Sequence, residues 1–68
     1  MTLEEILDSL EGWADSGEVP ANTAADLLHV VAIARAADAF EEAGTFASEK
    51  SLLMAVIEAR AYAEKRGK

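Results

Sequence analysis

Residues 27–43 read LLHVVAIARAADAFEEA, and this stretch decides the fold. Between Leu27 and Ala34 the only polar side chain is His29. At 3.6 residues per turn, Leu27, Leu28 and Val31 share one side of a helix, while Val30, Ile33, Ala37 and Phe40 lie nearly opposite. A helix that is apolar all round must be covered all round. The segment therefore reads as the spine of the protein, running from about residue 22 to Ala43, with Gly44 as its stop. The start is placed at 22–23 because Thr23 and Asp26 have capping-box spacing, although Pro20 also suits a first helical position.

Working outward from the spine, the chain offers two more helices. Towards the N-terminus, Leu3, Ile6, Leu7 and Leu10 recur at i, i+3, i+4 and i+7, and Trp13 and Ala14 extend the stripe. Thr2 and Glu5 provide a capping box, and Ser16-Gly17 ends a helix over about residues 3–15. On the C-terminal side, Thr45 or Ser48 caps a helix over about 46–66, with Leu52, Leu53, Val56, Ile57, Ala59 and Ala63 as its expected buried face. Lys65 and Arg66 suit its C-terminal end, where cations offset the helix dipole. The expected fold is all-α, with the second and third helices as an antiparallel hairpin and the first packed across them. Residues 1–68 form one domain.

Size bears on how such a fold is held. A chain of 68 residues buries only roughly 60% of the surface its unfolded form exposes. Cysteine is absent and His29 is the single histidine, so disulfides and multi-Cys or multi-His metal sites within one chain are excluded. Fifteen alanines favour helix but contribute little burial apiece. Two short neighbours are expected to cover one side of the spine, and a second subunit the other. Self-association through Val30, Ile33, Ala37 and Phe40 is thus the expected way the core is completed, and the chain is expected to act as a homo-oligomer.

The formal charge of −7 is unevenly placed. Residues 1–34 contain seven acids and no Lys or Arg, whereas the six acids and six bases of 35–68 cancel. Such a field repels phosphate backbones and anionic membranes, so neither nucleic acid nor membrane is an expected partner. On the first helix Glu4, Asp8, Glu11 and Asp15 follow at i, i+4, i+7 and i+11. Like charges at these spacings cost a helix a few tenths of a kcal/mol per pair, so either something compensates or the acids at the N-terminal end gain from the helix dipole; the leading reading is a solvated face. They are also a candidate acidic docking face for a basic partner protein, in the manner of an inhibitor or nucleic-acid mimic.

Catalytic chemistry has little to draw on. Serines 9, 16, 48 and 51 share one histidine as a possible base, and no catalytic-type pair stands at a motif spacing. Residues 15–26 have the length of a calcium loop but lack oxygen ligands at its third and fifth places. No metal or other cofactor is expected, and the chain is read as non-enzymatic. The longest apolar run, Val30–Ala34, is far short of the ~20 residues that cross a bilayer. The opening MTLEEILDSL is acidic and amphipathic, unlike a leader peptide, so a cytoplasmic location is expected.

The stretch LLHVVAIARAADAFEEAG, followed by SLLMAVIEARAYAEK, resembles the Ala-rich helical hairpins of small accessory proteins encoded by phages of high-GC bacteria. The resemblance covers Leu27–Glu64. It implies a host-directed interaction role in the host cytoplasm and brings no functional residue with it.

Overall fold

A computed structural model describes residues 1–67. It contains three helices, α1 (Leu3–Asp15), α2 (Ala21–Ala43) and α3 (Phe46–Arg66), and no strand among the described residues. Two of the three starts are reciprocal capping boxes. The Glu5 amide donates to Thr2 Oγ1 at 3.2 Å, and the Glu5 carboxylate accepts from the Thr2 amide. Thr45 and Ser48, alternative caps by sequence, act together: the Ser48 amide donates to Thr45 Oγ1 and the Thr45 amide to Ser48 Oγ. Helix α2 departs from expectation by a residue. Pro20 is its N-cap, no side chain caps it, and the anticipated Thr23–Asp26 box does not form. Asp26 is engaged elsewhere, by Tyr62 and Arg66 of α3. Gly44 ends α2 with φ of 60°, the left-handed conformation that glycine adopts without a Cβ penalty, and its amide donates to the Phe40 carbonyl.

Helices α1 and α3 both pack against α2, and among the described residues they do not touch each other. This corrects the expectation that the first helix lies across the other two. The cause is visible on α2. Arg35 faces α1, where it meets Asp8 and Glu11, whereas Asn22, Asp26 and His29 face the last turns of α3. The spine thus takes one neighbour from the same chain on each of two opposite sides, and not both neighbours on one side as expected from the sequence.

The outcome is a layer one helix thick, 36 × 33 × 11 Å across its Cα atoms. Its radius of gyration is 12.9 Å, against roughly 11 Å for a compact chain of this length. Leu7, Ala14 and Val31 are the buried hydrophobic residues, all in the seam between α1 and α2. Helix α3 has no fully buried residue. Its Leu52, Ala55, Val56, Ala59 and Tyr62 are half-buried, whereas Leu53, Ile57 and Ala63, expected on the same face, are exposed. The roll of α3 follows Tyr62, whose hydroxyl donates to Asp26 Oδ1 at 2.6 Å and whose ring stacks on His29.

Candidate interaction surface

Polar contacts set the rotation of the outer helices about their own axes. Arg35 Nη2 donates to Asp8 Oδ1 at 2.6 Å and lies 3.7 Å from Glu11 Oε2. The hydrogen bond to Asp8 raises the Arg35 guanidinium above its ordinary value, and the neighbouring carboxylates act the same way. Two members of the acid stripe are thereby used within the chain, which relieves the i, i+3 and i, i+4 repulsion on α1. Glu4 and Asp15 remain exposed without an ion pair among the described residues. Arg35, the first Lys or Arg in the sequence, is the partner of Asp8 and Glu11.

On the other seam, Arg66 Nε and Nη2 both reach Asp26, each at 3.2 Å. The Tyr62 hydroxyl, and after it Arg66, hold the Asp26 carboxyl below its ordinary value. The same hydrogen bond raises the Tyr62 phenol. His29 is half-buried, with its ring 4.3 Å from that of Tyr62 and inclined at 29°. No serine hydroxyl pairs with it among the described residues, nor does any group of His, Asp and Glu side chains converge as a metal site.

Helical geometry then sorts the exposed side chains onto the two broad sides of the layer. On α1, buried Leu7 and Ala14 point at α2, with the acid stripe on one flank and Leu3, Ile6 and Trp13 on the other. In a layer one helix thick, those flanks open on opposite sides. On α2, Arg35 and His29 stand about 120° apart, and Val30 points away from the bisector between them. Val30 therefore opens on the side opposite Arg35 and the acids. On α3, Leu53 precedes Tyr62 by two and a half turns and so faces away from the Tyr62–His29 stack. One broad side thus carries the acids of α1, Arg35, His29 and Tyr62, together with exposed Leu28 and Met54. The other carries Leu3, Ile6, Trp13, Val30 and Leu53, each of them exposed, along with the exposed acids Glu41 and Glu49.

This arrangement divides the face anticipated from the sequence. Ile33 and Phe40 are half-buried, and the seven-residue repeat from Asp26 places them on the side of α2 turned to α3. Val30 and Ala37 are exposed, Val30 at 60%. Leu53, expected on the buried face of α3, joins the apolar side, as do Leu3, Ile6 and Trp13 of the α1 stripe. The breadth of the α1 stripe was the available signal: Leu3, Ile6, Leu10 and Trp13 span more of the helix than a single seam with α2 can cover. No helix among the described residues is long and apolar enough to cross a membrane. No protein-family model, curated protein or solved structure matches the chain.

Proposed function

We propose that this chain is a non-enzymatic protein-interaction module that works as a homo-oligomer, with the α1–α2 seam and the antiparallel α2–α3 hairpin completed by self-association. One observation carries the reading. The chain exposes 4943 Å², whereas a compact monomer of its mass exposes roughly 4,100 Å². The excess, on the order of 800 Å², equals what each partner contributes to a protein–protein interface of standard size. Large apolar side chains are exposed on all three helices. The reading is non-enzymatic because the single histidine is engaged with Tyr62 instead of a nucleophile. Sedimentation velocity at micromolar concentration tests it: a species heavier than one chain is expected, and a sharp 7.2 kDa boundary overturns it.

A second reading, an acidic inhibitor of a basic partner, draws support from the absence of Lys and Arg over residues 1–34. Against it, Arg35 already holds Asp8 and Glu11, which leaves Glu4 and Asp15 as the free acids of the stripe. A host-directed role in a host cytoplasm is what the phage-protein resemblance adds to either reading.

A further inference from the structure

We propose that the apolar broad side of the layer, centred on Val30 and bounded by Leu3, Ile6, Trp13 and Leu53, seats a second copy of this chain stacked face to face. The inference rests on the homo-oligomer reading and adds which surface the copies share. Stable domains pack two layers of secondary structure around one core, and a single sheet of helices lacks the second layer. A second copy supplies it, because a two-fold axis lets one patch serve both partners.

The area and the charge both favour this occupant. The layer measures 36 × 33 Å across its broad sides, which is room for the roughly 800 Å² that each partner contributes to a standard interface. Each chain carries −7, so copies repel unless their acids are kept apart. Stacking through the side of Val30 turns Asp8, Glu11, Glu4 and Asp15 outward on both copies and leaves Glu41 and Glu49, with Arg60 as a cation, on the shared side. Stacking through the opposite side would bring the two acid stripes together.

The test compares two glutamate substitutions in the full chain by sedimentation velocity, with circular dichroism confirming helix content. Val30→Glu lies in the proposed face. Met54→Glu lies on α3 about 100° from Leu53, turned towards the opposite broad side, where Met54 is exposed. Val30→Glu is expected to weaken association on the order of 100-fold or more, since two-fold symmetry buries two unpaired carboxylates at once. Met54→Glu is expected to associate like the wild type. If the wild type associates but Met54→Glu disrupts it and Val30→Glu does not, the proposed face is wrong while the homo-oligomer reading stands. A wild type that remains a single chain removes both. If Val30→Glu loses its helix content, the single tryptophan decides the matter in the wild type. Trp13 emission is expected to shift to the red as dilution dissociates the oligomer, and emission unchanged across that transition overturns the proposal.

Discussion

Replacing Val31 with alanine probes the seam between α1 and α2 at its most enclosed point. Val31 is 2% exposed, and the change removes two methyl groups from contact with α1. At roughly 0.8 kcal/mol per buried carbon, the lost burial comes to about 1.6 kcal/mol. The cavity cost on top of this is small, because a site in an open layer relaxes more readily than one in a deep core. Alanine also returns a few tenths of a kcal/mol of helix propensity. The same gain applies to Val30→Ala, one residue earlier on the same helix, where the side chain is 60% exposed. Val30→Ala loses about 0.6 kcal/mol of burial by the same measure, so the two variants are expected to differ by about 1 kcal/mol with Val31→Ala the less stable. With an m-value of about 1 kcal/mol/M, that separates the urea midpoints by roughly 1 M. The assay is urea unfolding followed by circular dichroism, at a concentration where sedimentation shows dissociated chains. Equal midpoints there refute the placement of Val31, and not Val30, in the seam.

Three further outcomes follow from the caps and the α2–α3 contacts. Thr45→Ala removes the acceptor for the Ser48 amide and is expected to cost about 1 kcal/mol, read as a fall in Tm of about 4–8 °C. Gly44→Ala places a Cβ on a residue with φ of 60° and is expected to cost about 1 kcal/mol in the same melt, although nothing crowds the position. The Asp26 carboxyl titrates below 3.8 in the folded chain, so its contribution is full above that pH and is lost as pH falls through the folded value. Urea midpoints measured on acidification should show this loss in the wild type and a smaller one in Asp26→Asn. The Tyr62 phenol is shifted the other way, so its contribution is present below pH 10.0 and disappears as pH rises through the folded value. Phenolate absorbance of this single tyrosine reads that transition directly, and titration at or below the ordinary value contradicts the hydrogen bond to Asp26.

The helices and their ends were largely legible in the sequence because their signals are local. The Thr2–Glu5 box, the Gly44 stop and the apolar stripe of α1 each lie within a few residues of one another, and the helix bounds agree to within a residue. What the sequence did not show depends on pairs 27 to 40 residues apart. Nothing near Asp8 identifies Arg35 as its partner, and nothing near Thr23 indicates that Asp26 serves Tyr62 and Arg66 instead of a cap. Those contacts fix the sides of α2 on which α1 and α3 lie, and hence which apolar residues stay exposed. Leu53 and Ile57 fit the same helical period as Leu52 and Val56, so periodicity alone could not separate the half-buried pair from the exposed one.

The absence of contact between α1 and α3 has an energetic consequence. Each outer helix can detach from α2 without breaking a bond to the other, so within one chain the free energies of the two seams combine much as do those of adjacent units in a linear repeat array. Substitutions on α1 and α3 should therefore be additive in a dissociated chain. Coupling between them that emerges only at concentrations where chains associate must travel through the neighbouring molecule, and a double-mutant cycle run against dilution would make that route measurable.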